Sequence, residues 1–231
     1  MAIPISNYDT IIDVTLDGVC DSSETSFLSG TQSLINNDPK LHSLLISELC
    51  IHNRVRALAN NIVRDLNHSK HIDILLVLTG SFIFTSDLSR AIFRQGGVNA
   101  TIHCIKTSVY DKTIKSSGEH YRAVTLELSP KNIEGRDLLL VEDIADQGFT
   151  LSWLKNYLLH ERNAKSLKIC SLLYKRLDNP SQEVQNIRRQ LDIDYIGFTV
   201  PDVWVAGYGI DAAYEYRHLP FIVRVNEEFY M

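Results

Sequence analysis

Residues 138–150 read LLLVEDIADQGFT. The four leading apolar residues are too few for a helix and are bounded by charge, the pattern of a strand buried on both faces that ends in adjacent carboxylates, Glu142 and Asp143. Gly148 and Thr150 then open a new spacing, Leu151, Leu154 and Leu158, which predicts a helix with the loop 146–150 at its N-terminus. Strand, short loop and helix form one unit. Successive backbone N–H groups at a helix start make an anion cradle, in which Gly148 permits a tight turn and Thr150 adds a hydroxyl. The two carboxylates one turn earlier suit a pair of sugar hydroxyls, directly or through a divalent cation. One phosphate and one diol together suggest a ribose 5-phosphate. Asp146 puts a negative charge inside the phosphate loop, which gives it a separate task as a candidate base. Taken singly, an acidic pair at a strand end and a glycine at a helix start are also ordinary surface features.

The thirteen residues together resemble the phosphoribosyl-diphosphate signature of the type I phosphoribosyltransferases: four apolar residues, E-D, two apolar residues, then D-T/S-G-x-T. Two positions depart from it. Gln147 replaces the usual Thr or Ser, and Phe149 replaces a variable, often polar residue, so side-chain contacts to the 5′-phosphate are expected to be fewer while backbone ones survive.

Length and composition bound the rest. The 231 residues are 45% hydrophobic and 22% charged, enough for one large globular domain or one with appendages. A net charge of −5 gives no support to general nucleic-acid binding or to an acidic membrane surface. Cys20, Cys50, Cys104 and Cys170 form no C-x-x-C pair and read as reduced core thiols. No basic leader precedes an apolar core and no run approaches the ~18 apolar residues of a span, so a cytoplasmic address is expected.

Ahead of the central motif, residues 10–16 suggest a strand, and 21–38 lack sustained periodicity. Residues 46–66 carry Leu49, Val55, Leu58, Ile62, Val63 and Leu66 at helical spacing, with Ser47 as a cap. The apolar run 72–78 stops at Thr79, Gly80 and Ser81, then gives way to Phe82, Phe84, Leu88 and Ile92 at helical spacing, a second strand–glycine–helix unit. Residues 78–81 look like the pyrophosphate loop of the hypoxanthine-guanine phosphoribosyltransferases, L-x-G-[GS]. Residues 98–106 and 123–128 read as strands around a polar, hairpin-like stretch, 108–120, expected to be mobile. The family has a flexible lid there with a Ser-Tyr pair; here the match is Val109 and Tyr110, with Ser108 one position early.

Behind the motif, 167–175 is a near-continuous apolar strand ending in Lys175. Residues 179–191 are polar with a short amphipathic pattern, read as a surface helix or loop without chemistry, and 195–200 returns to strand character. The following run PDVWVAGYGIDAAYEYRHL is similar to the purine-binding hood of the same family, P-D-x-[FW]-V-x-G-Y-[AG]-[LI]-D and then Y/F-R-x-L. Trp204 offers a flat face for stacking, Asp211 a hard oxygen for magnesium, and Arg217 a forked donor for phosphate oxygens. Each has a bland alternative as core, turn or surface ion pair.

The resemblance covers roughly residues 46–225, with the insert 179–191 outside it, and implies a purine-salvage enzyme that makes IMP or GMP, and in its widest form XMP, with pyrophosphate from a 6-oxopurine and 5-phospho-α-D-ribose 1-diphosphate (PRPP). It implies an α/β fold, a parallel sheet flanked by helices, with residues 1–42 as an N-terminal extension and candidate contributor to the hood, a phosphoribosyltransferase domain over 43–231 and a hood segment over about 195–231. Asp146 would be catalytic. Residues Glu142, Asp143, Asp146, Gln147, Gly148, Phe149 and Thr150 would hold the ribose and 5′-phosphate, and Thr79, Gly80, Ser81 and Arg217 the pyrophosphate. Lys175, Trp204, Val205 and Asp211 would hold the purine, with the Lys175 ammonium donating to the 6-oxo group. Glu142, Asp143 and Asp211 would serve Mg2+, and a homodimer or homotetramer without nucleic-acid or membrane partners is expected. The competing reading is a regulator of the same fold that binds PRPP and nucleic acid without turnover.

Overall fold

A computed structural model describes residues 3–5, 8–21, 23–24, 27–66, 69–113 and 120–230, with side chains omitted at 3–5, 27–29, 108–113 and 120–123. In chain order the elements are β1 (Ile3–Ile5), β2 (Ile12–Asp13), β3 (Val19–Asp21), α1 (Phe27–Asn37), β4 (Leu41–Ile46), α2 (Glu48–Asp65), β5 (His71–Leu78), α3 (Phe82–Gly96), β6 (Asn99–Thr113), β7 (His120–Leu128), β8 (Asp137–Ala145), α4 (Phe149–Asn156), β9 (Ser166–Lys175), α5 (Gln182–Gln190), β10 (Tyr195–Val200), β11 (Val205–Ala206) and β12 (Ile222–Val225).

Seven strands form a sheet in the order β2-β10-β9-β8-β5-β6-β7, parallel throughout except for the antiparallel β6–β7 hairpin. Alternation along β8 explains why it reads as an unbroken apolar run. Leu139 and Val141 pack with Ile51, Leu58 and Leu88 on the side of α2 and α3, whereas Leu138 and Leu140 pack with Leu151, Leu154 and Leu158 on the side of α4. Both faces are covered, as parallel sheets require. Ser47 caps α2, its Oγ accepting from the Cys50 amide at 3.4 Å.

A second sheet, β1-β3-β4-β12-β11, takes strands from both ends of the chain, with β12 antiparallel to β4. Its core contains Ile35, Leu44, Phe221 and Val223. The buried Arg54 joins the N-terminal segment to the main sheet, donating to Gly197 O at 2.8 Å, Ile196 O at 2.7 Å and Tyr8 O.

Four differences from the sequence reading have local causes. Residues 41–46 are strand β4, so Ile46 ends a strand and the helix begins after Ser47. Residues 27–37 form α1, whose serines, asparagines and Gly30 hide the period that Ile35 satisfies by packing on β4 and β12. Strand β10 pairs with β9 in the main sheet, so the smaller sheet takes only residues beyond 200 from the C-terminal part. Within the polar stretch, residues 108–113 pair in a regular ladder with 120–125, Val109 opposite Val124 and Tyr110 opposite Ala123, because alternating backbone pairing needs no apolar content in an edge hairpin. The side chains of Val109 and Tyr110, and residues 114–119, lie outside the described residues.

Candidate active site

The carboxyl ends of β5, β8 and β9 meet at two adjoining clefts. The first, about 510 Å³, is lined by Gly80, Glu142, Asp143 and residues 144–151. Strand β8 continues through Ala145, opposite Tyr174 of β9, so Glu142 and Asp143 sit inside the sheet and are buried. Burial and the adjacent Asp143 charge push the Glu142 carboxyl well above the ordinary range. Burial also raises Asp143, against the pull of its bonds from Glu142 and the Ile144 amide and of Arg217. Two side-by-side carboxylates with raised proton affinity want a proton, a hydroxyl donor or a cation.

Gly148 caps α4 at φ +88°, which turns the loop so that the helix start faces the first cleft. Two close approaches lock the three motifs together. A Cβ on Gly80 would lie 1.7 Å from Asp143 Oδ2, and one on Gly209 would lie 2.1 Å from the Gly80 carbonyl. The loop 207–211 therefore rests on the 79–81 loop, which rests on the acidic pair. Tyr208 adds an anchor, its hydroxyl donating to Asp87 Oδ2 of α3 at 2.6 Å. In this loop and the residues that follow it, Tyr208, Ala213, Tyr214 and Tyr216 hold positive φ, each costing of order 1–3 kcal/mol in a non-glycine residue. The peptide bond Leu78–Thr79 is cis.

The second cleft, about 630 Å³, is lined by Asp146, Gln147, Phe149, Lys175, Trp204 and, unexpectedly from sequence, Ser181, Glu183, Asp202 and Glu227. Lys175 is 7% exposed and its Nζ donates to Asp146 Oδ2 at 3.0 Å. Trp204 is 43% exposed, with Tyr230 tilted against it at a centroid distance of 5.8 Å.

Several predicted site residues face elsewhere. Ser81 is fully buried and its hydroxyl donates to Val77 O at 2.7 Å, which satisfies it against the end of β5 just ahead of α3. Thr79 and Ser81 thus border the first cleft without lining it, whereas Gly80 lines it. Val205 is buried in β11 opposite Arg224, one residue behind the cleft wall. Asp211 pairs with Arg217, Oδ1 to Nη2 at 2.6 Å, and its Oδ2 accepts from the Tyr214 amide at 2.8 Å, so it does not join Glu142 and Asp143. Among the described residues no group of three or more His, Cys, Asp or Glu side chains is placed to hold a metal. Arg217 also donates to Gly209 O at 2.6 Å, which secures the loop over Gly80.

Arg188 joins the site without having stood out in the sequence, its guanidinium donating to Lys175 O at 2.7 Å and to Asp146 O. A polar helix outside every recognised motif gives no signal for it. Glu227, in a single 3-10 turn, had none either.

A helix start opening on a cleft, a buried acidic pair and a glycine loop, all at the carboxyl edge of a parallel sheet, define a phosphoribosyltransferase-type site. A model of the phosphoribosyl transferase domain matches residues 48–213. The chain is 35% identical over 187 residues to a hypoxanthine-guanine phosphoribosyltransferase of Dictyostelium discoideum, covering 81% of this chain and 97% of that one. It is 39% identical over 183 residues to a hypoxanthine phosphoribosyltransferase of Buchnera aphidicola, covering 79% and 94%. Among solved structures, a hypoxanthine-guanine phosphoribosyltransferase of Bacillus anthracis matches with a TM-score of 0.63 at 35% identity, over 80% of this chain and 99% of that one. The chain belongs to the phosphoribosyltransferase family, on its hypoxanthine-guanine branch. Among the described residues no helix is long and apolar enough to cross a membrane.

Proposed function

We propose that this protein transfers the phosphoribosyl group of PRPP to N9 of a 6-oxopurine, producing IMP or GMP and pyrophosphate in purine salvage. The observation that carries this reading is the Lys175–Asp146 pair, which sets a buried donor beside a proton acceptor where the phosphate cleft opens into the Trp204 cleft. The bond from C1′ to the diphosphate oxygen breaks with its electron pair leaving on pyrophosphate, the N9 lone pair closes on C1′, and the N7 proton passes to Asp146. Lys175 donates to the 6-oxo group, which a 6-amino group cannot accept, so adenine leaves the ammonium unpaired. Trp204 stacks on the base, with Val205 supplying backbone groups and Asp211 bordering it through the 207–211 loop.

Glu142 and Asp143 hold the ribose hydroxyls, and the N–H groups of residues 146–150 hold the 5′-phosphate. Gly80, flanked by Thr79 and Ser81, presents backbone to the pyrophosphate, with Arg217 as its counter-charge. The buried hard-oxygen pair suits Mg2+, which takes few protein ligands and several from water and phosphate. Magnesium, when bound, neutralises charge on the leaving diphosphate. The smaller sheet, including strands from residues 1–42, acts as the hood, and the enzyme works in the cytoplasm as a homodimer or homotetramer without nucleic acid. The test is nucleotide formation from hypoxanthine and PRPP with magnesium and with EDTA. IMP formed only with magnesium is expected; tight PRPP binding without product contradicts the reading.

A further inference from the structure

We infer that Arg188, on the α5 segment outside the recognised motifs, is a positioning residue that aims the phosphate cradle and ties it to the base-selecting lysine. This rests on the reaction proposed above. One guanidinium serves both subsites: Nη1 donates to the Asp146 carbonyl, Nη2 to the Lys175 carbonyl at 2.7 Å, and the ion lies 4.1 Å from the centroid of the Tyr174 ring. The ring and the two carbonyls leave the fork little freedom.

The consequence follows from peptide geometry. In a planar trans peptide, C=O and N–H point in opposite directions, so holding the Asp146 carbonyl fixes the direction of the Gln147 N–H. Arg188 grips that carbonyl from the α5 side, which turns the N–H the other way. The Lys175–Arg176 peptide is clamped likewise, because its N–H donates to Val200 O at 2.7 Å while Arg188 takes its carbonyl. Ile187 and Leu191 of the same segment would meet a Cβ on Gly148 at 3.4 and 3.3 Å, so α5 packs directly beneath the turn.

The sequence supplies the reason for such a device. Gln147 stands where the family resemblance implies Thr or Ser, and Phe149 where it implies an often polar residue, so beside the Thr150 hydroxyl the cradle leans on its backbone N–H groups, and their aim depends on what holds the reverse side of the loop. Arg188 does so with charge-assisted bonds.

Steady-state kinetics of wild type, Arg188→Met, Arg188→Lys and Arg189→Met test this. In Arg188→Met the KM for PRPP is expected to rise about tenfold with kcat within about threefold, because lost positioning weakens binding, whereas partial unfolding would lower apparent kcat and leave KM alone. Arg188→Lys, with one donor able to reach one carbonyl, should recover part of the loss, and the exposed neighbour variant Arg189→Met should match wild type. A PRPP KM within about twofold of wild type in Arg188→Met overturns the inference, as does Arg188→Lys behaving no better than Met. Should the Met variant not fold, the Lys variant decides alone: a raised KM supports the role and an unchanged KM overturns it. An active wild type with unaffected Arg188 variants refutes only this inference, and a wild type inactive with every purine refutes the reaction and the inference together.

Discussion

Lys175 Nζ lies 3.0 Å from Asp146 Oδ2, with the lysine buried and the carboxylate half exposed. Each group satisfies the other, and in the proposed reaction a 6-oxopurine would separate them by offering both what they need: an acceptor at O6 for the ammonium and a donor at N7 for the carboxylate. Replacing Asp146 by Asn keeps the shape and removes the proton acceptor. Turnover of Asp146→Asn should fall by about 10²- to 10⁴-fold, the range for loss of a general base, with KM for PRPP little changed. Rapid-quench measurement of IMP formation checks it.

Trp204 keeps one side open to the second cleft while Tyr230 rests against it. Base–aromatic stacking contributes about 1–3 kcal/mol, so Trp204→Ala should raise the hypoxanthine KM roughly 5- to 150-fold and leave the PRPP KM near its starting value. Equal rises in both constants would show that the ring supports the site as a whole.

At Gly80 the close approach is severe, since any Cβ falls 1.7 Å from Asp143 Oδ2. Gly80→Ala must move the acidic pair or the loop beneath Gly209. Activity should drop by at least about 100-fold, the scale for a misplacement of roughly an ångström. Circular dichroism should still report a folded sheet, because the change lies at the strand ends.

Away from the site, Asp73 is buried at the amino edge of β5, 2.9 Å from His103 Nε2 and 3.2 Å from Arg136 Nη1. Burial opposes its charge, yet the bonds from His103 and Arg136 hold its carboxyl below the ordinary range. A depressed folded value means stability present in full above the unfolded pKa near ~3.9 and lost as pH falls through the folded value. Asp73→Asn should therefore cost about 1–3 kcal/mol at pH 7, and its gap to wild type in urea unfolding should close below about pH 4. A gap independent of pH would contradict the ion-pair account.

The sheet was legible because parallel strands buried on both faces leave unbroken apolar runs: β5, β8, β9 and β10 all stand where residues 72–78, 138–141, 167–175 and 195–200 point. The loops were legible from composition at Gly80 and Gly148, where only glycine fits. What stayed hidden depends on contacts distant in sequence. Strand β4 pairs with β12 some 180 residues later, as Leu44 opposite Val223 records, and α1 exists because Ile35 finds that core. Ser81 looked like a ligand and spends its hydroxyl on Val77 O. Arg188 looked like a surface charge and grips two loop carbonyls, a role visible only once α5 is folded under Gly148.

The most direct measurement is kcat/KM for hypoxanthine, guanine, xanthine and adenine in parallel, with magnesium and PRPP, for wild type and Asp146→Asn. Turnover of 6-oxopurines is expected, with discrimination against adenine by at least about 10⁴-fold because a buried donor is left unpaired, and a sharp loss in the variant. Adenine used as well as hypoxanthine, or Asp146→Asn as active as wild type, would contradict the proposed reaction.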